Sequence, residues 1–447
     1  MADIAKLKGL VDTIVVVMME NRSFDHLLGY LALPRYGAKT KYGLSDDPAW
    51  LKSVANPNDN DGFTYPPFRL RYFSIADPPH ERTNIAEQIG DEGADGLFPL
   101  KGFIDSAGGD SSVMGYYLPD DIPMTVYLAE QFRVCSRWFA SLPAGTQPNR
   151  LMALSGFSLL DTNSSLLLPD QRPLVYDWLD GKGVPWRVYH DGYFPFITLM
   201  ERFWKDIAEG DLFRPFENLT IDLDHEPSGT FPRVIFIEPT YTCARLGSPD
   251  DNHPPTSVTF GEQFLMRVYN AITSNSDRWK RTVMILASDE HGGFFDHVQP
   301  IALETAAPGD IYPVFETSGI RVPAIVISPL VSKGTVFGDA GESLDHTSIL
   351  KFLGQMFDPG GKYSDAVNSR NVASVADVID LDAPDPNRGT PPTADMIPQP
   401  GTPQIVPTDN PHAQAFALAR AGITKQYPHQ LLSKHANTPG VRAALGI

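Results

Sequence analysis

The chain of 447 residues has few cysteines, fewer basic than acidic residues and no long apolar run. Its two cysteines, Cys135 and Cys243, cannot form a framework of several disulfide bonds, and the sequence leaves open whether they are bonded to each other. The 36 Lys and Arg residues against 54 Asp and Glu residues give a formal charge of -18, which argues against a nucleic-acid partner. Such a field also repels anionic substrates, so a site for anions needs local positive charge from a metal ion or histidine.

Signals for export and membrane insertion are also missing from the sequence. The amino terminus, MADIAKLKG, lacks the continuous apolar region of a signal peptide, and the first apolar run is too short to span a bilayer. We therefore expect a soluble cytoplasmic protein, or a secreted or periplasmic one if a leader has been removed. Transient contact with a lipid surface stays open, and the sequence does not indicate an oligomeric state.

Two apolar stretches end abruptly in acidic residues. Residues 13–20 read TIVVVMME, and residues 281–298 read RTVMILASDEHGGFFDHV. Apolar runs rich in β-branched residues are typical of strands that are buried on both faces of a parallel sheet. Ligands bind in the crevice outside the carboxyl ends of such strands, so we expect the acids to lie in that crevice.

These acids predict a metal site. If the two strands are neighbours, Glu20, Asp289 and Glu290 come together, and three adjacent buried carboxylates cannot all ionise without a cation. We therefore expect one or more divalent metal ions, of unknown identity. The alternative for the first stretch is an ordinary polar end of a strand, with a surface salt bridge between Glu20 and Arg22.

The rest of the chain alternates strands with helices, which predicts a doubly wound α/β fold. Residues 31–115 mix aromatics, prolines and glycines with little periodicity, which indicates irregular segments that cap the sheet. Nine prolines from Pro384 to Pro411 indicate a segment that wraps the surface. We expect a main domain over residues 1–380 and a proline-rich segment with a helical tail over residues 381–447, in which no motif indicates chemistry. Further strands are predicted within 134–141, 184–189, 233–238 and 319–330, and helices within 122–132, 261–275 and 344–357.

One threonine and one histidine occupy positions where a catalytic side chain could act. Thr146 lies at the start of a predicted helix, where backbone N–H groups and the helix dipole favour negative charge. It is either an ordinary N-cap or a nucleophile whose alkoxide is stabilised there. His80 follows two rigid prolines, and it is either a solvated loop side chain or a site residue.

Five motifs together resemble the bacterial phospholipase C and acid phosphatase phosphoesterase family, which the plant non-specific phospholipases C also resemble and which belongs to the alkaline phosphatase superfamily. They occur in the family's order between about residues 11 and 355. They are ENRSFDH (20–26), TQPNR (146–150), SDEHGGFFDHV (288–298), GIRVPAIVISP (319–329) and DHTS (345–348). The resemblance implies an alkaline phosphatase-like α/β/α sandwich with irregular capping insertions, and it makes residues 1–380 the catalytic domain.

The resemblance also implies roles for individual residues. A set of five would surround the metal, with the threonine as nucleophile: Glu20, Asn21, Thr146, Asp289 and Glu290. Loops resembling those that hold the family's active-site histidines contain His80, His253 and His190. Structural or supporting hydrogen bonds are expected of His291, His297 and His346.

The implied reaction is metal-assisted hydrolysis of a phosphate ester through a phosphothreonine on Thr146. A phospholipase C that cleaves phosphodiesters is the first hypothesis, and a broad-specificity acid phosphatase is the second. The substrate would be a small-molecule or phospholipid phosphate ester. A catalytically silent phosphate- or metal-binding protein is an alternative of another class. A sulfatase would need a modified cysteine or serine in a distinct motif, and neither cysteine lies in one.

Overall fold

The central sheet of the computed structural model contains eight strands. The structure describes residues 3–241, 248–305, 315–399, 410–436 and 441–446. In chain order the strands are β1 (Thr13–Met19), β2 (Arg133–Cys135), β3 (Trp186–His190), β4 (Phe213–Pro215), β5 (Val234–Glu238), β6 (Thr282–Ser288), β7 (Ala324–Ile327) and β8 (Thr335–Phe337). They lie side by side in the order β8-β2-β7-β6-β1-β5-β3-β4.

Strand direction changes only at β7 within this sheet of the described chain. The five strands β6, β1, β5, β3 and β4 are mutually parallel. By contrast, β7 is antiparallel to both β6 and β2, while β8 is parallel to β2. The predicted α/β class is therefore confirmed, as a mixed sheet with one reversed strand. The predicted strand within residues 134–141 is split, because the chain leaves the main sheet after Cys135 and Trp138–Phe139 pairs with Leu344–Asp345 instead.

Helices cover both faces of the sheet. Val16 and Met18 of β1 line a small internal cavity with Leu154 and Leu350, whereas Met19 lines a second cavity with Leu265 on the opposite face. Since successive strand residues point to opposite faces, two helical layers enclose β1, which is fully buried.

In chain order the α-helices of the described residues are α1 (Ile4–Leu10), α2 (Phe24–Leu28), α3 (Pro48–Val54), α4 (Arg82–Ile89), α5 (Phe103–Ser106), α6 (Pro123–Gln131), α7 (Thr146–Ser155), α8 (Val175–Lys182), α9 (Trp204–Glu209), α10 (Asn218–His225), α11 (Val258–Ser274), α12 (Ser276–Trp279), α13 (Thr347–Phe357), α14 (Asp365–Ser369), α15 (Pro411–Gln426), α16 (Pro428–Lys434) and α17 (Val441–Leu445). On one face α13 packs against α1 and α7, and on the other α11 packs against α6 and α10. No helix of the described chain is both long and apolar enough to cross a membrane.

Short elements make up the capping region predicted at residues 31–115. Besides α3, α4 and α5, it contains 3₁₀ turns and strands of two or three residues. Outside the central sheet, the described residues form the short strands Asn56–Asn58, Phe63–Tyr65, Phe68–Arg69, Gly115–Tyr116, Trp138–Phe139, Ala302–Thr305, Phe315–Thr317 and Leu344–Asp345. Their 3₁₀ turns are Gly29–Ala32, Pro34–Tyr36, Ser111–Met114, Phe196–Leu199, Glu201–Phe203 and Val375–Val378.

The predicted helical tail exists and packs on the main body. Helix α15 contacts Phe196–Leu199, and α16 contacts α9. The division at residue 380 stays a prediction. Cys135 is buried with a free thiol. Cys243, the other cysteine of the bond that the sequence left open, lies outside the described residues.

Candidate active site

The two acidic stretches meet at one edge of the sheet. Strands β1 and β6 pair in register up to Met19 and Ser288, so the residues that follow them emerge side by side. The backbone N–H of Asn21 donates to Asp289 Oδ1 over 3.2 Å. The carboxyl groups of Glu20, Asp289 and Glu290 are all buried. The predicted juxtaposition of the two strands is therefore confirmed.

Two glycines let the second stretch pass close to the first. Gly292 has φ of +66°, and a Cβ there would lie 2.3 Å from the carbonyl oxygen of Asn21. Gly293 has φ of +76°, and its Cβ would lie 2.8 Å from the carbonyl oxygen of Pro79. Any other residue would require both a strained backbone and a shift of the neighbouring chain. The glycines thus hold the two acidic stretches and the Pro-Pro-His loop together.

Helix α7 begins at Thr146 and presents Arg150 to these acids. Its N-cap is Gly145, so Thr146 is the first helical residue and its hydroxyl is not the cap. Thr146 Oγ1 is buried and has no hydrogen-bond partner among the described residues. Arg150, one turn later on the same face, lies 3.3 Å from Glu20 Oε1 and 3.0 Å from Asp289 Oδ2.

Arg150 is a site residue that the sequence reasoning missed. Its guanidinium also donates to the Tyr241 hydroxyl over 2.7 Å and to two main-chain carbonyls of β1. The alternative of a surface pair between Glu20 and Arg22 is wrong, because both are buried and Arg22 donates to the carbonyl oxygen of Asn252. The four-residue spacing between Thr146 and Arg150 was the available signal, since it places both side chains on one face of a helix.

His80 and His253 are held in the same way. Each donates from Nδ1 to a neighbouring proline carbonyl, His80 to Pro78 over 2.7 Å and His253 to Pro254 over 2.5 Å. Their rings lie 5.7 Å apart, and both are close to Asp77, which is 3.7 Å from His80 Nδ1 and 4.0 Å from His253 Nε2. Because Nδ1 is bound in both rings, Nε2 is the nitrogen that each presents to the site.

The amide of Asn21 connects His80 to the acids. Asn21 Nδ2 donates to His80 Nε2 over 3.1 Å, which requires the neutral ring and leaves Asn21 Oδ1 without a hydrogen-bond partner in the described chain. Burial favours that neutral ring, yet the negative charges of Glu290 and Asp77 raise the pKa of His80 to about 9. The hydrogen bond from Asn21 needs a neutral His80 ring, whereas the nearby carboxylates favour a protonated one. A cation that neutralises Glu290 would remove this conflict.

His190 lies apart from this group. It ends β3, two strands away from β1, and donates from Nδ1 to the carbonyl oxygen of Gly192 over 2.6 Å. Its ring packs against that of His435, with the ring centroids 5.9 Å apart. Burial, with some contribution from His435, lowers the pKa of His190 to about 3. No described hydrogen bond or ion pair joins His190 to the acids, and its catalytic role stays a prediction.

The structure brings two further residues into the site, Asp251 and His412. Asp251 accepts from the His253 backbone N–H over 2.8 Å, and its carbonyl accepts from the Glu20 backbone N–H over 2.8 Å. His412 lies at the start of α15, in the tail where no chemistry was expected, and its Nε2 is 3.8 Å from Glu20 Oε1. Asp251 neighbours a predicted site histidine in sequence, whereas nothing in the local sequence distinguishes His412.

The three histidines expected to support the site are all hydrogen-bonded. His291 pairs with Gln88 Oε1 over 2.7 Å, and His346 donates to the main-chain oxygen of Asp289 over 2.6 Å. His297 donates to Asp25 Oδ2 over 2.6 Å. Arg321, which is also buried, pairs with both Asp25 and Asp296, so these two carboxylates have a counter-charge of their own.

The predicted metal ligands suit a divalent cation. Four of them have a buried side-chain oxygen without a hydrogen-bond partner among the described residues: Glu20 Oε1, Asn21 Oδ1, Thr146 Oγ1 and Glu290 Oε1. Burial raises the pKa of Glu20 and of Asp289 even though Arg150 opposes the rise. Arg150 therefore offsets only part of the cost of ionising these two buried carboxyl groups, and oxygen donors of this kind bind hard divalent cations. The ligand atoms of Asp77, His80 and His253 also lie close enough together to hold a metal ion.

Residues 11–358 match the Phosphoesterase family over most of the chain. The chain belongs to the Phosphoesterase family. It is 30% identical over 373 residues to non-specific phospholipase C1 of Arabidopsis thaliana, covering 79% of this chain and 68% of the relative. Non-specific phospholipase C4 of the same plant is 30% identical over 412 residues, covering 84% and 72% of the two chains. Phospholipase C B of Mycobacterium tuberculosis is 28% identical over 447 aligned positions, covering 89% and 83%.

Membership in the Phosphoesterase family confirms the family resemblance drawn from the five motifs. A solved structure of a protein in the alkaline phosphatase superfamily from Vibrio parahaemolyticus matches with a TM-score of 0.32 at 13% identity, over 70% of this chain and 71% of the other. The family and its relatives make this protein a hydrolase that acts on phosphoric ester bonds.

Proposed function

We propose that this Phosphoesterase-family hydrolase is a phospholipase C that cleaves phosphodiesters through a covalent phosphothreonine on Thr146. The observation that carries the proposal is the buried Thr146 hydroxyl, which lacks a hydrogen-bond partner in the described chain and begins the helix whose Arg150 contacts Glu20 and Asp289. The curated relatives named phospholipase C support the substrate class, a small-molecule or phospholipid phosphate ester.

Thr146 attacks phosphorus in line with the departing alcohol. Its alkoxide forms at the amino-terminal end of α7, where the helix dipole favours negative charge, although the Gln147 N–H of that turn already donates to Asn163 Oδ1 over 2.8 Å. A divalent cation held by Glu20, Asn21, Thr146, Asp289 and Glu290 would supply further positive charge to the alkoxide and to a phosphate oxygen. The P–O bond to the alcohol breaks as the bond to Thr146 forms.

We assign the proton transfers to His253. The Nε2 of His80 accepts from Asn21, whereas His253 Nε2 lies 4.0 Å from a carboxylate oxygen of Asp77. His253 donates its Nε2 proton to the leaving alcohol. It then takes a proton from the water that attacks phosphothreonine, and the P–O bond to Thr146 breaks. The Thr146 alkoxide regains from solvent the proton that it lost to solvent before the first attack. His80 keeps the Asn21 amide in place.

Two variants and two substrates test the proposal. Thr146→Ala should lower turnover by at least about 10³-fold with its thermal unfolding unchanged, because no other hydroxyl replaces the nucleophile. Thr146→Ser keeps a hydroxyl and should retain activity and a trappable phosphoprotein. Activity above a few per cent in a folded Thr146→Ala protein would refute the nucleophile. A preference for p-nitrophenyl phosphate over p-nitrophenylphosphorylcholine would instead indicate an acid phosphatase.

A further inference from the structure

Helix α15 contributes His412 to a site that is otherwise built by the family region. Residues 11–358 match the family, and His412 lies beyond them. Its side chain is buried, with its ring 6.2 Å from that of Phe196 and 5.0 Å from that of Phe416. The tail therefore places a polar aromatic ring against the acids at a fixed angle.

The hydrogen bonds of Gln147 determine which nitrogen of His412 carries the hydrogen. Gln147 Oε1 accepts from the Ser164 backbone N–H over 2.7 Å, and Gln147 Nε2 donates to the Ser164 carbonyl over 3.0 Å. These two bonds fix the orientation of the amide. Gln147 Nε2 thus points an N–H at His412 Nδ1 over 3.4 Å, so Nδ1 accepts. In the neutral ring the hydrogen then lies on Nε2.

That Nε2–H points toward Glu20. His412 Nε2 is 3.8 Å from Glu20 Oε1, which Arg150 Nη2 approaches to 3.3 Å. Glu20 Oε1 has no hydrogen bond within the described residues, and neither does His412 Nε2. Two buried groups, one a donor and one an acceptor, thus face each other slightly beyond hydrogen-bond distance.

We propose that His412 is a positioning residue for Glu20, through which the carboxy-terminal helix completes the metal site. Its Nε2–H faces Glu20 Oε1 beside Arg150 and so restricts how the Glu20 carboxylate is turned toward a cation. Because Gln147 adjoins Thr146, the same ring connects the nucleophile's helix with the end of β1. The inference rests on the proposed function, since it assigns a role at the same site.

Metal binding by the full chain tests this role without any substrate. After dialysis against a chelator, Mn²⁺ alone is titrated into each protein, and free Mn²⁺ is read by electron paramagnetic resonance. His412→Phe keeps an aromatic ring between the two phenylalanines but removes the donor, whereas His412→Gln places an amide N–H near the position of Nε2. His429→Phe, at an exposed histidine of α16, is the matched control.

Removal of a residue that orients a metal ligand weakens metal binding by about 10- to 100-fold. We expect a loss of this size in His412→Phe, a much smaller loss in His412→Gln, and none in His429→Phe. Glu20→Gln should lose binding altogether. Unchanged Mn²⁺ affinity in His412→Phe would overturn the inference, as would equal losses in the two His412 variants.

The outcomes also separate this inference from the proposed function. If Glu20→Gln loses Mn²⁺ while His412→Phe does not, the inference fails and the metal site stands. If the unsubstituted protein binds no Mn²⁺ at the site, both the metal assignment and the inference fail. Should His412→Phe not fold, His412→Gln decides alone, because Mn²⁺ affinity near that of the unsubstituted protein supports the donor and a 10-fold or larger loss refutes it.

Discussion

Removing Arg150 should expose how strongly the site depends on charge compensation. In Arg150→Met the side chain keeps much of its length, but Glu20 and Asp289 lose their guanidinium partner at 3.3 and 3.0 Å. Both carboxylates are at most 1% exposed, so water cannot replace the lost charge. Breaking a buried ion pair by removing one partner costs about 3–5 kcal/mol.

The lower end of that range applies here. Asp289 Oδ1 still accepts from the backbone N–H groups of Asn21 and Glu290, over 3.2 and 2.7 Å, so one of the two carboxylates keeps part of its stabilisation. At about 2.1 cal/mol/K per residue, the 447 residues have an unfolding entropy of about 0.9 kcal/mol/K. A loss of about 3 kcal/mol then lowers Tm by about 3 °C.

Differential scanning calorimetry of the metal-free protein measures this shift. The matched control is Arg172→Met, whose guanidinium pairs with Asp170 at the exposed surface and whose loss should leave Tm unchanged. Added Mn²⁺ should reduce the deficit of Arg150→Met, because a cation replaces part of the missing charge. An unchanged Tm in Arg150→Met without metal would refute the view that the acids are ionised and held by this arginine.

Two further predictions concern positions away from the nucleophile. Burial raises the pKa of Glu262 from 4.5 to about 7, although Thr125 donates a hydrogen bond to its carboxylate. Between these two pH values the folded protein holds a proton on Glu262 that the unfolded chain has lost, so the free energy of unfolding falls as pH rises from about 4.5 to 7. Glu262→Gln should remove up to about 3 kcal/mol of this pH dependence, measured as Tm against pH, and parallel Tm profiles would contradict it. Gly292→Ala should lower both Tm and activity, the latter by about 10²-fold, because its Cβ displaces the Asn21 backbone. Gly361 also has a positive φ, but a Cβ there would meet open space. Gly361→Ala should therefore lower the free energy of unfolding by only about 1–2 kcal/mol and keep full activity. Equal losses of activity in the two variants would show that the contact with the Asn21 backbone does not matter.

Local patterns in the sequence predicted the elements that build the site. The apolar runs before Glu20 and Asp289 identified β1 and β6, because buried parallel strands have a distinctive composition. The same runs also predicted which carboxylates meet, since strands that end in polar residues share one edge of the sheet. The helix at Thr146 followed from its turn and proline signals.

Contacts between distant segments could not be predicted in this way. The reversal of β7 depends on how the chain returns after residue 288, which no periodicity encodes. Arg150 was visible within a motif, but its partners became known only when α7 docked against the end of β1. His412 is 392 positions from Glu20, and only the packing of α15 brings them together.

The charge of the site favours an ester with a single negative charge. Five acids lie at the proposed site: Asp77, Asp251 and the predicted ligands Glu20, Asp289 and Glu290. Two buried guanidinium groups, of Arg22 and Arg150, and one divalent cation supply less positive charge than these acids carry when all are ionised, so neutrality requires one more proton, on a carboxyl group or on a histidine. In a protein whose formal charge is -18, little positive charge then remains to attract a phosphate dianion. A phosphodiester brings one charge instead of two, which is why we place phosphodiester hydrolysis before phosphomonoester hydrolysis.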